Sequence, residues 1–423
     1  MSVTIDRLKR FVTLVKKVYE DSGSTSTAAS FAFRFLYKKF PILASHVFYR
    51  ITRFVRVRKR TANVDHALHA PQIAIKVSGG LGDYIVAARF LRDLLRTIEP
   101  CDIYIYANSV PISQWILSGL SGYQESYPDT VFHIDRDSYD LALSVNTTVT
   151  VHAGPISPSI RNAPKLLGIR ARILSYKKSI APFIEHHPRL DNGLARLAVF
   201  KGHSRRDFLH AIAGISYGGD LMDIEISITA MTSSVSGKRY ITIHNGFDHN
   251  FVISGIRATK CYPHFDEVVA GIKRSFPDIL IIQIGTHTSE HLAGVDMDLI
   301  NKTSLPEAAA LIRGAILHID NEGGLVHLAS CFGVHSCVVF GPTPSAYFSY
   351  ADNINLDPPI CGDCWWISET WMSQCLRSYD VPRCMYEQSP GNVVEHIAAY
   401  LQAALRTPIV PPSGPVVKYP TLT

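Results

Sequence analysis

A short apolar run, a glycine-rich turn and a helical pattern follow one another near the start of the chain. Residues 73–77 are typical of a buried strand, and residues 79–82 supply the turn. Apolar residues then recur every three or four positions over 85–98, as in an amphipathic helix, before a second apolar run at 103–106. This order of strand, turn, helix and strand predicts a parallel βαβ unit and therefore an α/β fold.

A second α/β series follows the polar stretch 232–237. Its predicted strands are 240–244, 279–284, 315–319 and 336–340, and its predicted helices are 265–275, 305–313 and 325–332. We therefore expect two Rossmann-like domains, over residues 67–235 and 236–406, facing a cleft. Ligands of open α/β sheets bind at the carboxyl ends of the strands, so the cleft is the expected site.

The net charge of the N-terminal region differs from that of the two predicted domains. The protein has 42 Lys and Arg against 36 Asp and Glu in 423 residues, a net charge of +6. Residues 1–60 carry fourteen basic and three acidic residues, or +11, so the remainder carries −5. This distribution argues against a nucleic-acid-binding body, because the basic footprint of such a protein should lie on the main folded unit. Residues 407–423 form a Pro-rich tail.

The basic N-terminal extension, residues 1–66, reads as one or two amphipathic helices interrupted at Pro41. One interpretation is that these helices pack on the body with a solvated basic face. The alternative is docking to an anionic membrane surface or to a partner. The sequence contains neither a signal-peptide pattern nor an apolar stretch of about 18 residues, so a cytoplasmic location is expected, with peripheral contact at the inner membrane as an option.

The first glycine turn carries an acidic residue at a strand end. The spacing of Gly80 and Gly82 does not complete a dinucleotide fingerprint, because Ile85 stands where the third small residue belongs, and no Gly-Lys-Ser/Thr follows. Two interpretations of Asp83 remain open. It caps the following helix, or it is a general base that removes a proton from an attacking hydroxyl. Gly80 and Gly82 would then form an acceptor or phosphate loop.

A second strand, glycine turn and helix follow at residues 315–332. The N-terminus of a helix binds phosphate well, because its amides and its dipole both favour an anion. The polar and glycine residues of this turn are the candidate donor-binding groups. They are Asn321, Glu322, Gly323, Gly324, Leu325 and His327.

Three segments in this order resemble glycosyltransferase family 9, the ADP-heptose:lipopolysaccharide heptosyltransferase group. Residues 78–83 are similar to its serine–leucine–glycine–aspartate turn, and residues 259–263 resemble its Lys-Arg-Trp-Pro segment. Residues 321–329, followed by 338–343, resemble its Asp-Thr-Gly-Pro-Met-His-Leu-Ala and Phe-Gly-Pro-Thr signature. The similarity covers roughly residues 72–400.

The resemblance implies a GT-B fold, with the acceptor on the first domain and the nucleotide-sugar on the second. It also implies inversion at the anomeric carbon without a metal at the sugar. By position, Asp83 would be the base, Lys260 would pair with the diphosphate, and residues 323–327 would cradle it. The chain departs from the family at Glu322-Gly323, where the family has Asp-Thr, and at Tyr262, where an aromatic residue is shifted and is not Trp.

Four cysteines fall within 24 residues of the segment 358–390, which we treat as a Cys-rich loop. They are Cys361, Cys364, Cys375 and Cys384. Four thiolates can close a tetrahedral site on Zn²⁺ or iron, and such a site would be structural. Buried free cysteines are the alternative. The resemblance favours a metal, because some family 9 members carry cysteine-bound iron near this place.

Two Asp-x-Asp pairs allow a rival, metal-dependent mechanism. They are Asp135 with Asp137, and Asp296 with Asp298, the latter in a predicted loop. Acids at this spacing are common by chance, so no catalytic metal is expected.

The leading hypothesis is an inverting glycosyltransferase that moves a heptose or similar sugar from a nucleotide-diphosphate donor, preferably an ADP-sugar. The acceptor would be a hydroxyl of a glycan, a lipid-linked molecule or a protein, in bacterial surface glycan synthesis such as lipopolysaccharide or in protein glycosylation. The alternative is a non-catalytic sugar-nucleotide-binding or scaffold protein in which Asp83 only caps a helix.

Overall fold

A computed structural model of the chain divides, by its internal contacts, into two units. The structure describes residues 70–406, apart from 153, 155, 187–189, 249–252 and 254–256, and scattered positions between 16 and 57. Unit 1 consists of residues 1–78, 94–178 and 254–256, and unit 2 consists of residues 79–93, 179–253 and 257–423. Each unit contains one β-sheet. The predicted α/β class, with two domains built on parallel sheets, is confirmed.

Unit 1 is built on a five-stranded sheet in the order β3-β2-β1-β4-β5. Its strands are β1 (Gln72–Val77), β2 (Asp102–Ala107), β3 (Tyr123–Pro128), β4 (Leu141–Val145) and β5 (Val149–His152). The pairs β1–β2, β2–β3 and β1–β4 are parallel, whereas β5 runs antiparallel to β4. Its sequence-adjacent helices are α1 (Leu81–Thr97), α2 (Val110–Leu117) and α3 (Pro164–His186), of which α1 and α3 continue across a unit boundary.

Aromatic residues fill one part of the core of unit 1. The Tyr106 hydroxyl lies 3.1 Å from Asp135 Oδ2, and its ring packs edge-on against Phe132. Tyr49 packs edge-on against Tyr127, with ring centroids 6.0 Å apart. Tyr49 is a described position of the basic extension, and most of residues 1–66 and all of residues 407–423 lie outside the described part of the chain. None of the described helices is long and apolar enough to cross a membrane.

Unit 2 is built on a six-stranded, fully parallel sheet in the order β11-β10-β9-β6-β7-β8. Its strands are β6 (Tyr240–Ile243), β7 (Leu280–Gly285), β8 (Met297–Ile300), β9 (His318–Asn321), β10 (Ser336–Val339) and β11 (Ile354–Leu356). Its main helices after α3 are α4 (Leu190–Phe200), α5 (Phe208–Ala213), α6 (Phe265–Ser275), α7 (Leu305–Arg313), α8 (Gly324–Cys331) and α9 (Pro390–Arg406). Single-turn helices of unit 1 lie at Asp129–Val131, Phe132–Asp135, Arg136–Ser138 and Pro158–Arg161. Those of unit 2 lie at Ala230–Ser233, Ser345–Phe348 and Arg383–Tyr386.

The core of unit 2 lies between its sheet and the helices α6 and α9. Buried apolar residues of β6, β7, β9 and β10 pack with those of both helices in one cluster. The strands β6 and β9 are parallel neighbours in this sheet, which helices cover. The carboxyl ends of β6 and β9 therefore lie side by side, and the loops that follow them carry the candidate site.

The unit boundaries differ from the predicted domains 67–235 and 236–406. Residues 79–93 and 179–235 belong to unit 2 rather than to the first domain. Buried charge explains this difference, because side chains of α1 bind the segment 218–221. Arg92 donates to the carbonyls of Gly219 and Leu221, and Asp93 accepts from the amide of Gly218 at 2.8 Å. Unsatisfied buried polar groups are costly, so these bonds hold the segment to the helix.

Candidate functional site

Two helix N-termini meet within unit 2. A Cβ atom on Gly324, the first residue of α8, would lie 2.8 Å from Leu81 Cβ and 3.1 Å from the Gly82 amide nitrogen. A Cβ atom on Gly82 would lie 2.5 Å from Cδ2 of His327. The glycines thus allow the first turns of α1 and α8 to touch. The positive ends of both helix dipoles therefore lie close together, and this arrangement favours the binding of an anion.

The amides at the start of α8 have no side-chain cap. Gly323 is the N-cap residue, and its backbone is extended. A Cβ atom there would make only ordinary contacts, the nearest 3.8 Å from Asp320 Oδ2, so space does not require glycine at this position. Leu325 is half-buried in the first turn. The amides of Gly324 and Leu325 are the groups that an anion can bind, since the Val326 amide already donates to the Gly323 carbonyl at 3.2 Å.

Asp83 occupies the first turn of α1, and both of its carboxylate oxygens are engaged. Oδ2 accepts from the Gly80 amide at 3.0 Å, which is the backward half of a capping box. Gly79 has a φ of +127°, and a Cβ atom there would overlap the Asp83 carboxylate. Oδ1 forms an ion pair with Arg205 Nη2 at 2.6 Å. The side chain remains one-third exposed, so a hydroxyl can still reach it.

Arg205 was not predicted, since no sequence pattern marks it. Its side chain is only 4% exposed, and its backbone amide donates to the carbonyl of Tyr347 at 2.8 Å. Burial alone would lower its pKa, but Tyr347 and Asp83 together raise it. The guanidinium therefore stays charged and holds the Asp83 carboxylate in one orientation.

A second carboxylate also borders this turn. A Cβ atom on Gly80 would lie 2.6 Å from Oδ2 of Asp248, a residue that the sequence patterns did not single out. The glycine at position 80 thus allows Asp248 to approach the backbone of the turn that carries Asp83.

The predicted donor-binding residues Lys260, Glu322 and His327 form one buried cluster. Lys260 Nζ lies 3.3 Å from Glu322 Oε2, and His327 Nε2 lies 4.0 Å from Glu322 Oε1. Burial alone would lower the pKa of Lys260, but the negative charge of Glu322 raises it. Lys260 is therefore a largely buried cation beside the α8 N-terminus, and a diphosphate could take the place of Glu322 as its partner.

Asn321 and Tyr262 do not join this cluster. The Asn321 side chain is buried and accepts from the Tyr262 amide at 2.8 Å, so it fixes the loop after Lys260. The Tyr262 ring is buried against Phe265, and its hydroxyl donates to the Gln388 carbonyl at 2.8 Å. Asn321, predicted as donor-binding, therefore positions backbone, and the Tyr262 ring is part of the core.

The buried Asp320 of β9 contacts two histidines, the half-buried His244 after β6 and the buried His318 of β9. Asp320 Oδ1 lies 2.7 Å from His244 Nδ1, and its Oδ2 lies 3.4 Å from His318 Nε2. Burial alone would raise the pKa of Asp320, but the two histidines lower it. These contacts account for the burial of a carboxylate at the base of the glycine turn.

His327 has a second set of partners on its other ring nitrogen. Its Nδ1 lies 2.6 Å from the hydroxyl of Tyr350, which in turn accepts from Arg89 Nη1 at 2.7 Å. Burial, with the charges of Arg89, Arg205 and Lys260, lowers the pKa of His327 well below its ordinary value. The ring is therefore neutral, and Arg89 and Tyr350 are further residues that sequence patterns missed.

The four cysteines of the predicted metal site line one small cavity, together with residues such as Thr259 and Trp371. Burial and the neighbouring residues, chiefly Cys375 for Cys364 and the other three cysteines for Cys384, raise the pKa of Cys364 to about 11 and of Cys384 to about 12. Within the described residues, no three His, Cys, Asp or Glu side chains already surround a common ion position. The structure thus brings the four thiols to one place but does not preform a ligand shell.

The acidic pairs considered for a rival metal site are engaged locally. Asp298 lies on β8 and not in the predicted loop, and it pairs with His291. Asp296 pairs with Lys273 and accepts from the Ile281 amide at 2.7 Å.

The other acidic pair lies in unit 1. Asp135 is buried and lies 3.1 Å from the Tyr106 hydroxyl, whereas Asp137 forms a surface pair with Arg136 at 3.5 Å.

Part of this site lies in a segment that is similar to a known family. Residues 251–356 match the model of glycosyltransferase family 9 (heptosyltransferase). The match includes Lys260, the strand β9, the glycine turn and helix α8. A comparison with curated proteins gives no match.

Two solved structures are similar to about four fifths of the chain. One is the dodecameric iron-containing heptosyltransferase TibC in complex with ADP-D-β-D-heptose, at 15% identity and a TM-score of 0.51, covering 80% of this chain and 79% of that one. The other is the iron-containing dodecameric glycosyltransferase TibC from enterotoxigenic E. coli H10407, at 16% identity and a TM-score of 0.51, covering 79% and 77%. At this identity the likeness shows a shared fold. With the family match to residues 251–356, it confirms the expected resemblance of the chain to glycosyltransferase family 9.

Proposed function

We propose that the protein is an inverting glycosyltransferase that moves a heptose or a similar sugar from a nucleotide-diphosphate donor to a hydroxyl acceptor. The observation that carries the proposal is the buried Lys260–Glu322–His327 cluster beside the uncapped N-terminus of α8, within the segment that matches family 9. A buried lysine and free helix amides stabilise the negative charge that develops on a departing nucleoside diphosphate.

Each group has one role in the proposed reaction. Asp83 takes the proton of the acceptor hydroxyl, and the oxygen attacks the anomeric carbon from the face opposite the diphosphate. The bond from that carbon to the phosphate oxygen breaks, and its electron pair remains on the diphosphate. Lys260 and the amides of α8 receive this charge. Arg205 keeps the Asp83 carboxylate in place.

An ADP-sugar is the preferred donor in this proposal. TibC, a protein of similar fold, has been captured with ADP-D-β-D-heptose. The acceptor is proposed to be a glycan, lipid-linked or protein hydroxyl in bacterial surface glycan synthesis, such as that of lipopolysaccharide, or in protein glycosylation. A cytoplasmic location, with contact of the +11 extension at the inner membrane, stays a prediction, because most of that extension lies outside the described residues.

A panel of ADP-, GDP-, UDP- and CMP-sugars tests the donor. At about 100 times its Kd, a ligand stabilises the folded protein by about 2.7 kcal/mol, which should raise Tm by roughly 5 °C. We expect the largest shift with an ADP-sugar, followed by hydrolysis or transfer of that sugar. If a sugar of another nucleotide gave a larger shift in Tm, only the identity of the proposed donor would change. If no nucleotide sugar shifted Tm, the proposal would be contradicted.

The alternative function, non-catalytic binding of a sugar nucleotide or a scaffold role, is favoured by one observation. Both oxygens of Asp83 already have partners within the protein, the Gly80 amide and Arg205, so the residue has a structural role without any substrate. A thermal shift with an ADP-sugar but no hydrolysis or transfer to any hydroxyl acceptor would support this alternative.

We also propose a structural Zn²⁺ or iron ion bound by Cys361, Cys364, Cys375 and Cys384. Four thiolates suit either metal, and the four side chains border the same cavity. Such an ion would cross-link distant parts of the loop 358–390, which belongs to unit 2. It would leave no coordination position open for substrate.

Metal analysis of protein purified without added metal tests this site. We expect about one equivalent of Zn and Fe together, and loss of the metal with a lower Tm in Cys364→Ser. Cys101→Ser, which changes a buried cysteine of unit 1, should keep the metal. Less than about a quarter equivalent in the unaltered protein would contradict the site.

A further inference from the structure

Arg89 is an arginine of α1 whose side chain is fully buried. Nη1 donates to the Tyr350 hydroxyl at 2.7 Å and lies 3.2 Å from Asp220 Oδ1, and Nη2 donates to Ser330 Oγ at 2.9 Å. A guanidinium has five N–H donors and no acceptor. The Tyr350 oxygen is therefore the acceptor of its bond with Arg89, whatever else it contacts.

This bond limits how the Tyr350 oxygen can contact its other neighbours. The Tyr350 oxygen lies 2.6 Å from Nδ1 of His327, and a hydroxyl has a single proton. In the arrangement that leaves the oxygen with one N–H donor, that of Arg89, the hydroxyl proton points to Nδ1, which is then an unprotonated acceptor. A neutral imidazole with an unprotonated Nδ1 carries its proton on Nε2.

The charges on the two sides of the ring favour the same tautomer. The Arg89 cation lies beyond Tyr350 on the Nδ1 side, where it stabilises a lone pair. The Glu322 carboxylate lies 4.0 Å from Nε2, where it stabilises an N–H. Lys260 and Arg205 add further positive charge around the ring, so a third proton state, the imidazolium, is disfavoured.

We propose that Arg89 and Tyr350 are positioning residues that hold His327 as the neutral Nε2–H tautomer, a hydrogen-bond donor to the diphosphate of the donor sugar. The diphosphate as ligand rests on the proposed function, whereas the tautomer rests on the contacts alone. Nε2 faces Glu322 and the backbone of Gly82, in the region where α1 and α8 meet. A neutral donor there binds an anion without placing another cation beside Lys260.

The ¹⁵N spectrum of the full chain labelled at histidine tests the tautomer directly. His327→Gln identifies the ring signals of His327 by their loss. We expect an unprotonated Nδ1 and a protonated Nε2 from pH 6 to 8, and a loss of this pattern in Tyr350→Phe. Tyr240→Phe is the control, because it also removes a buried tyrosine hydroxyl of unit 2, one that donates to the Leu311 carbonyl at 2.8 Å.

Binding of ADP tests the consequence. Tyr350→Phe should weaken ADP binding by about tenfold, as expected for one hydrogen bond to a charged group, and Tyr240→Phe should not. His327→Gln, whose amide can replace the Nε2–H donor, should bind ADP more tightly than His327→Asn.

A protonated Nδ1 in the unaltered protein, or unchanged His327 signals in Tyr350→Phe, would overturn the tautomer assignment. Absence of ADP binding to the unaltered protein would instead refute the diphosphate ligand, and the spectrum would still decide the tautomer.

Discussion

Asp83→Asn should lower kcat by about 10³-fold, the size expected for the loss of a general base. The amide has the same shape as the carboxylate and can still accept from the Gly80 amide, so the cap of α1 is largely retained. It cannot take a proton from the acceptor. ADP binding should change by less than about threefold, because Asp83 does not contact the Lys260 cluster. Steady-state transfer and ADP titration on the same samples measure both effects, and Asp83→Ala should behave alike in transfer.

The control must separate catalysis from capping. Asp207→Asn changes another carboxylate of unit 2 that accepts from a backbone amide, that of Ser204 at 2.8 Å, and it should leave kcat near normal. Asp83→Asn also leaves the buried Arg205 without its carboxylate, so Tm must be recorded for both variants. Near-normal turnover in Asp83→Asn would remove it as the base. Asp248, which borders the same turn, would then be the next candidate.

Elements with strong local signals were predicted well from sequence. The helices α6 and α7 have the predicted bounds 265–275 and 305–313. The start of α7 is marked by a capping box between Ser304 and Glu307, which a sequence displays within four residues. Local chemistry therefore sets the start of α7, and tertiary contacts did not shift it.

Elements whose residues depend on distant partners were predicted less well. The strand predicted at 315–319 is β9, His318–Asn321, because Asp320 and Asn321 are buried and hydrogen-bonded to other loops. Because these residues are polar, the hydropathy pattern predicts a turn at this place. Similarly, Asp298 caused β8 to be taken for a loop. In both cases a polar side chain inside a strand is satisfied by a partner that the linear pattern does not reveal.

The same difference between local signals and distant partners applies to the residues of the candidate site. Lys260, Glu322 and His327 were predicted from motifs, and the structure brings them together. Arg205 and Arg89 were missed, because their partners Asp83 and Tyr350 lie 122 and 261 residues away in the sequence. A single arginine within a helix or a loop has no pattern of its own, so its role can be read only from the fold.

Lys260→Met should lower kcat/KM by about 10²- to 10³-fold, because it removes the buried cation that faces the departing diphosphate. Methionine has a similar length and keeps the apolar contacts of the side chain. ADP binding should weaken by at least about tenfold, as expected for a charged hydrogen bond. Lys273→Met is the matched control, because that lysine pairs with Asp296 in unit 2 and lies outside the cluster. ADP binding by Lys260→Met as tight as in the unaltered protein would refute its role.

Glu322 makes a sharper test possible. Without Lys260, the Glu322 carboxylate would face the diphosphate uncompensated, so part of the loss in Lys260→Met is repulsion. Adding Glu322→Gln to Lys260→Met should therefore recover part of the ADP affinity, about tenfold. Glu322→Gln alone should bind ADP at least as tightly as the unaltered protein, because Lys260 is then free to pair with the diphosphate. If the two substitutions instead acted independently on ADP binding, the ion pair would not be the place where the diphosphate binds.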